Sequence, residues 1–171
     1  MAFVVETGAV VPSANSYVTV AFADSYFEVD REFFDVWDAL DQDVKEARLR
    51  WATRILDQKV HWNGRKTNED SALRWPREGV KDRDAIVIEE DEMPLQLREV
   101  TCEMAKFIHT SNPTTSQGGD ALRRIAVDVI EIEYQEDTVQ PEAPPILNQM
   151  LRGLGRYPSV GGHSFGKIRK A

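Results

Sequence analysis

Apolar residues recur at helical spacing in the first half of the chain. Thr19 is a suitable N-cap for a helix that runs to about Asp30, and Asp41 for a second helix that runs to about Asp57. The apolar positions of the second helix are three or four residues apart, as in a stripe that faces a core. They are Val44, Ala47, Trp51, Ile55 and Leu56. This pattern predicts that Trp51 is buried.

Two further helices and one strand are predicted in the second half. Pro94 fits the first turn of a third helix, which ends near Pro113. A short fourth helix begins at Pro145 and ends at Gly153. Between them, residues 124–134 (RIAVDVIEIEY) alternate apolar and polar positions with one slip in phase. This alternation predicts a strand that contains a bulge.

These elements indicate a mainly α fold. We expect a small bundle of about four helices with a minor β-strand or hairpin element and an extended C-terminal arm. Residues 1–134 are expected to form the helical body, with a long loop at 58–92 and the strand at 124–134. Residues 135–171 are expected to contain a proline-rich linker, the short helix, and a basic, glycine-rich arm.

The charge of the chain is unevenly distributed. The net charge is −8, yet residues 146–171 hold five basic residues and no acidic residue. The acidic remainder is poorly suited to lie along phosphates, because proteins bind DNA largely by placing lysine and arginine against its backbone. The basic terminus suggests a negatively charged partner.

Little in the chain points to catalysis or metal binding. The GHSFG sequence at 162–166 has the spacing of a nucleophile elbow, but no suitable strand, helix or downstream histidine accompanies it. Cys102 and three histidines lack the close spacing of a structural zinc site. The lone cysteine fits a reducing compartment, and no stretch is apolar enough to cross a membrane. We therefore expect no enzymatic activity and no bound metal or cofactor.

Two segments of the long loop interleave aromatic and basic residues, namely HWNGRK (61–66) and LRWPR (73–77). Binding of single-stranded nucleic acid is one interpretation, because such binders combine stacking aromatics with cations. In the structural alternative, Trp62 and Trp75 fold back on the helices, and the arginines pair with acidic groups of this or a neighbouring subunit. Those arginines are Arg65, Arg74 and Arg77. Acidic residues in the same loop favour the structural alternative.

Four segments of the chain resemble a family of tailed-bacteriophage proteins. They are VVETGAVVPSANSYVTVAFADSYF (4–27), ATRILDQKVHWNGRKTNEDSALRWPREGVKDRD (52–84), MPLQLREVTCEMA (93–105) and VIEIEY (129–134). The family consists of head-to-tail connector, or adaptor, proteins, and some members carry the label DnaT-like single-stranded DNA-binding. The N-S-Y-V start and the L-x-W-P-R-x-G loop are the most specific features of the resemblance.

The resemblance implies a structural protein of the virion. Connectors of this kind form a homo-oligomeric ring, usually of about twelve copies, between the portal protein and the tail or nozzle proteins. DNA only passes through the lumen of such a ring. The implied location is the neck of the virion, after synthesis in the bacterial cytoplasm. Binding of single-stranded nucleic acid, as by a replication protein, is the alternative function.

Two sets of residues are candidates for contacts in such a ring. In the loop, we expect Trp75 to pack on the helices, and Arg65 and Arg77 to contact another subunit or the tail. We expect the C-terminal arm to dock on the portal or on an adjacent subunit through apolar anchors flanked by basic residues. The candidate contact residues of the arm are Arg156, Tyr157, Phe165, Lys167, Ile168, Arg169 and Lys170.

Overall fold

The structure is a computed structural model that describes residues 1–111, 143–144 and 146–158. Its helices are α1 (Val20–Phe27), α2 (Phe34–Asp38), α3 (Gln42–Lys59), α4 (Leu95–Thr110) and α5 (Leu147–Met150). Its strands are β1 (His61–Trp62), β2 (Arg65–Lys66), β3 (Arg77–Glu78) and β4 (Gly155–Arg156). The described part of the chain is therefore mainly helical with a minor β component, as predicted.

The starts of the three longer helices were predicted correctly. The side chain of Thr19 caps α1 by accepting a hydrogen bond from the N–H of Phe22 at 3.1 Å. Asp41 precedes α3 and Pro94 precedes α4, as the sequence indicated. Helix α2 was not predicted.

The buried face of α3 differs from the predicted apolar stripe. Ala47 is exposed, and Val44 and Trp51 are only partly buried. Ile55 and Leu56 are buried as predicted, and the other buried positions are Lys45, Leu49, Ala52 and Thr53. Both sets of positions fit a spacing of three or four residues. The set that faces the core starts at Lys45. The ammonium group of Lys45 pairs with Asp24 at 3.0 Å. The prediction that Trp51 is a buried core residue is therefore wrong.

The described residues form two hydrophobic clusters that share one side chain. The first lies among α1, α2, α3, α4 and α5 and includes Phe27, Trp37, Leu56, Met104 and Leu151. The second lies under the long loop and includes Tyr17, Trp75, Val80, Leu97 and Leu154. Trp62 packs against both clusters, so it links the helical core to the loop.

The strands form two antiparallel pairs. In the first, His61 lies opposite Arg156 and Trp62 opposite Gly155. A Cβ atom at Gly155 would lie 2.7 Å from the carbonyl oxygen of His61, so this close pairing requires glycine. In the second pair, β2 lies opposite β3 within the long loop. The first pair ties the chain after α5 to the end of α3, and the second closes the loop on itself.

Helix α5 belongs to the same hydrophobic cluster as the longer helices. Leu147, Leu151 and Tyr157 are all buried there. The predicted strand at 124–134, the boundary at 134/135 and the arm beyond residue 158 lie outside the described residues, so they remain predictions. Among the described helices, none is long and apolar enough to cross a membrane.

Candidate functional site

A surface pocket with a volume of about 590 Å³ lies along α3. Three separate parts of the chain line it: α3, the N-terminal segment, and the loop just before Trp75. Its size falls in the range of pockets that hold a small molecule or a few side chains. We call it the α3 pocket.

Trp51 forms an apolar part of the wall of the α3 pocket. Its neighbours on the same helix face are Ala47 and Arg54, at helical spacings of four and three residues. The indole is partly exposed, and its Nε1–H is buried without a hydrogen-bond partner among the described residues.

The basic residues of the α3 pocket are Arg50, Arg54 and Arg74. Arg50 Nη1 donates a hydrogen bond to the carbonyl oxygen of Met1 at 2.8 Å. Arg54 and Arg74 are exposed, and neither forms an ion pair within the described ranges. Asp57 is the one acidic residue in the lining, so the α3 pocket carries net positive charge on an otherwise acidic protein.

Asp57 lies between the α3 pocket and the second hydrophobic cluster, to which its partner Tyr17 belongs. The hydroxyl of Tyr17 donates a short hydrogen bond to Asp57 Oδ1, and the backbone N–H of Arg74 donates to Asp57 Oδ2 at 3.1 Å. Burial raises the pKa of Asp57 to about 6, and the two hydrogen bonds lower it by a smaller amount. The pKa of Tyr17 is raised well above its ordinary value, chiefly by burial. Tyr17 therefore remains a neutral donor, while Asp57 can change its charge near pH 6.

Trp75 lies in the second hydrophobic cluster, where its one neighbour from a described helix is Leu97 of α4. Its side chain is 0 % exposed, and its ring meets that of Trp62 edge to face with 5.9 Å between centroids. The Trp75–Pro76 peptide bond is cis. Trp75 therefore packs the loop onto the body.

The side chain of Arg77 was expected to be available for another subunit, but it is buried within its own loop. The residue is only 8 % exposed. Its guanidinium donates to the backbone carbonyls of Asn63 and Gly64 at 2.7 Å each and of Arg74 at 3.1 Å. Arg77 holds three points of its own loop together.

The other predicted contact residues divide into exposed, buried and undescribed ones. Arg65 is exposed and pairs with Glu78 across the β2–β3 pair. Arg156 is exposed in β4, whereas Tyr157 is buried, and its N–H bonds to Asn148 Oδ1 at 2.9 Å. The remaining arm residues lie outside the described ranges, and their docking role stays a prediction. They are Phe165, Lys167, Ile168, Arg169 and Lys170.

Within the described part of the chain, no group of three or more metal-binding side chains comes together. Cys102 is buried in the helical core, and burial raises the pKa of its thiol. It therefore has the environment of a packing residue rather than of a nucleophile.

Comparison with known families gives one match. The family model described as "Putative DnaT-like ssDNA binding protein" matches residues 1–170. The chain belongs to this family. No curated protein and no solved structure matches the chain. The match agrees with the label DnaT-like, which some members of the resembling phage family carry. It gives no support to the assignment of this chain as a connector.

The α3 pocket of this DnaT-like protein was missed by sequence reasoning. Its signal was present, because Ala47, Arg50, Trp51 and Arg54 share one face of α3 and alternate apolar with basic side chains. That mixture is unusual for a core stripe, which excludes unpaired arginine. The predicted stripe contained only the apolar members, Ala47 and Trp51, and was expected to face the core.

Proposed function

We propose that this member of the DnaT-like family is a structural virion protein. In this proposal it is a head-to-tail adaptor that forms a ring below the portal, joins the capsid vertex to the tail, and lets DNA pass through its lumen. The support is the resemblance to phage connectors, above all the N-S-Y-V start and the L-x-W-P-R-x-G loop. The protein acts without catalysis, through contacts with its own copies, the portal and tail proteins.

The observation that carries the proposal is the burial of Trp75 and Arg77. Stacking of a nucleobase requires an accessible aromatic face, and Trp75 has none. The guanidinium of Arg77 is occupied by carbonyl groups of the loop itself. The segment that most resembles a single-strand binder in sequence therefore has a structural task.

The charge of the protein also favours this proposal. A net charge of −8 disfavours tight contact with a phosphate backbone. An acidic wall suits a channel through which DNA must move without being held.

A second candidate function is the binding of single-stranded DNA. Two observations favour it: the description of the family as DnaT-like and ssDNA-binding, and the α3 pocket, where Trp51 and three arginines share the lining. An aromatic surface next to cations is the arrangement that binds bases and phosphates together. In this candidate, the α3 pocket rather than the long loop would be the binding site.

Two measurements on the purified full-length protein separate the candidates. Native mass spectrometry, alone and with portal protein, measures assembly, and fluorescence anisotropy with a labelled oligothymidine measures DNA binding over a range of salt. We expect a ring-sized oligomer, formed alone or on the portal, and only weak binding of DNA. Purified particles should contain the protein at a copy number close to that of the portal.

The opposite results would overturn the adaptor proposal. In that case the protein stays monomeric with portal and is absent from purified particles. It also binds oligothymidine, with an affinity that falls steeply as the salt concentration rises. Loss of that affinity in Arg54→Ala/Arg74→Ala would then assign the DNA site to the α3 pocket.

A further inference from the structure

Residues 86–92 (IVIEEDE), here called the acidic segment, present exposed apolar and acidic side chains next to each other. Ile86 is 65 % and Val87 58 % exposed, whereas Ile88 is buried and anchors the segment. The four acidic residues at 89–92 are all exposed. Within the described ranges, their carboxylates form no ion pair.

The start of the acidic segment is held in a defined conformation. The N–H of Ile86 bonds to Asp82 Oδ1 at 2.9 Å, and the carbonyl of Ile86 accepts from the N–H of Asp82 at 2.8 Å. Beyond them, the N–H of Ile88 bonds to the carbonyl of Val80 at 3.0 Å. Because this backbone is already ordered, a partner that binds Ile86 and Val87 meets a small entropic cost.

The α3 pocket is complementary to the acidic segment in both charge and polarity. It offers three arginines against one carboxylate, and an apolar wall that includes Trp51 and Ala47. The acidic segment offers four carboxylates next to two exposed aliphatic side chains. Opposite potentials of this kind set the register and the partner of an interface. The basic residues of the C-terminal arm have the same sign as the α3 pocket and are therefore unsuitable occupants.

We propose that the α3 pocket of one copy binds the acidic segment of the next copy. This inference rests on the proposed ring. The two surfaces are different, so the contact is head-to-tail, and a head-to-tail contact that is repeated by a closing rotation produces a ring. Ile86 and Val87 pack against the Trp51 wall, and the carboxylates pair with Arg54 and Arg74.

The test is a charge swap between two full-length variants. Arg54→Glu/Arg74→Glu reverses the charge of the α3 pocket, and Glu89→Arg/Glu90→Arg/Glu92→Arg reverses that of the acidic segment. All five residues are exposed, and circular dichroism checks that each variant is folded. Sedimentation velocity then measures assembly of each variant alone and of an equal mixture. Matched controls are Arg31→Glu and Glu28→Lys, which change exposed charges near the end of α1.

We expect each charge-reversed variant alone to need at least about tenfold more protein to assemble, because like charges then face each other in every contact. The mixture should assemble like the parent, because each reversed pocket can bind a reversed segment and each unreversed pocket an unreversed one. The controls should also assemble like the parent.

Three results would overturn the inference. Both variants could assemble as the parent does, or the mixture could fail to recover assembly. The pocket variant could instead lose binding of oligothymidine while keeping its oligomeric state, which would make the α3 pocket a nucleic-acid site. In the first two cases, the adaptor proposal stands if the parent protein forms a ring. A parent protein that stays monomeric with and without portal overturns both the adaptor proposal and this inference.

Discussion

Arg77 shows at the scale of one residue how a buried side chain holds a long loop. Replacing it by alanine leaves the carbonyl groups of Asn63, Gly64 and Arg74 without their donor. We expect Arg77→Ala to lower the free energy of unfolding by about 1–3 kcal/mol, because three hydrogen bonds from a charged, buried side chain are lost. Urea denaturation of the purified protein measures this change.

The matched control for Arg77 is Arg65, another arginine of the same loop. Its side chain is 82 % exposed and pairs with Glu78 at the surface. Surface ion pairs contribute little, so Arg65→Ala should unfold close to the parent midpoint. Equal midpoints for the two variants would show that Arg77 has no structural role.

Asp57 is expected to make stability depend on pH. Its pKa is raised from 3.8 to about 6 by burial, so the folded state binds the proton more tightly than the unfolded chain. The resulting stabilisation is complete below about pH 4 and is lost as the pH rises through about 6. Its size is on the order of 2 kcal/mol. Thermal unfolding between pH 4 and 6 should show this fall in the parent.

Asp57→Asn removes the titrating group and should flatten the profile over that range. Asp70→Asn, at an exposed position of the long loop, should keep the parent profile. A parent-like slope in Asp57→Asn would mean that another group causes the dependence.

Two tryptophans show what the sequence could indicate about single residues. Trp75 precedes a proline, which disfavours a helix and favours a loop packed through its aromatic residue, and the structure confirms that packing. Trp51 sits at core-like spacing on α3, yet it lines the α3 pocket. Trp51 is partly exposed although it packs against the first hydrophobic cluster. Spacing alone cannot tell how deeply an apolar residue is buried, because that depends on the neighbouring segments.

At the scale of the element, α3 has two faces with different tasks. Leu49 is fully buried, whereas Trp51 borders the α3 pocket. We expect Leu49→Ala to lower the free energy of unfolding by about 2–5 kcal/mol, as core truncations do. Trp51→Ala should cost less, because the lost side chain already faces solvent on one side. If denaturation curves show a larger loss of stability for Trp51→Ala than for Leu49→Ala, Trp51 is a core residue after all.

The junction of α1, α2 and α3 depends on one carboxylate. Asp24 Oδ1 accepts from Trp37 Nε1 at 2.7 Å and from Lys45 Nζ at 3.0 Å, and that ammonium lies 5.5 Å from the centre of the Trp37 ring. Asp24→Ala leaves both donors without this acceptor, so we expect a loss of about 1–3 kcal/mol.

Asp24→Asn is the informative companion variant, because its amide oxygen can still accept from Trp37 while the charge pair with Lys45 is gone. Its stability should fall between those of the parent and the alanine variant. Glu28→Ala, at an exposed acidic position at the end of the same helix, should be close to neutral. If Asp24→Ala and Glu28→Ala unfold at the same temperature, Asp24 does not organise the junction.

The longer helices could be predicted because each repeats its apolar pattern over several turns and carries a recognisable N-terminal residue. Helix α2 spans five residues, too few for a period to be visible. The strands are two residues long, and β1 pairs with β4 from the far end of the chain. Such pairs are set by tertiary packing, so local sequence gives no signal for them.

At the scale of the whole molecule, the acidic balance and the family features could be obtained from the sequence, whereas the α3 pocket could not. Met1, Trp51 and Arg74 come from three distant segments, and only the folded loop brings them to one surface. The buried tyrosine that fixes Asp57 comes from the N-terminal region as well. The spacing of apolar and basic residues along α3 could reveal that wall of the pocket, but no sequence pattern reveals the walls that come from distant segments.

The place of the last described residues in the core has a consequence for protein synthesis. Leu147, Leu151, Leu154 and Tyr157 close the two hydrophobic clusters, although they follow α4 by a long stretch of chain. During translation, the apolar faces of α1, α3 and α4 therefore remain uncovered until these residues have left the ribosome. Products that stop before Tyr157 lack the closing side chains, and proteases that remove unfolded chains should degrade them. Only copies translated beyond that point can then complete the fold.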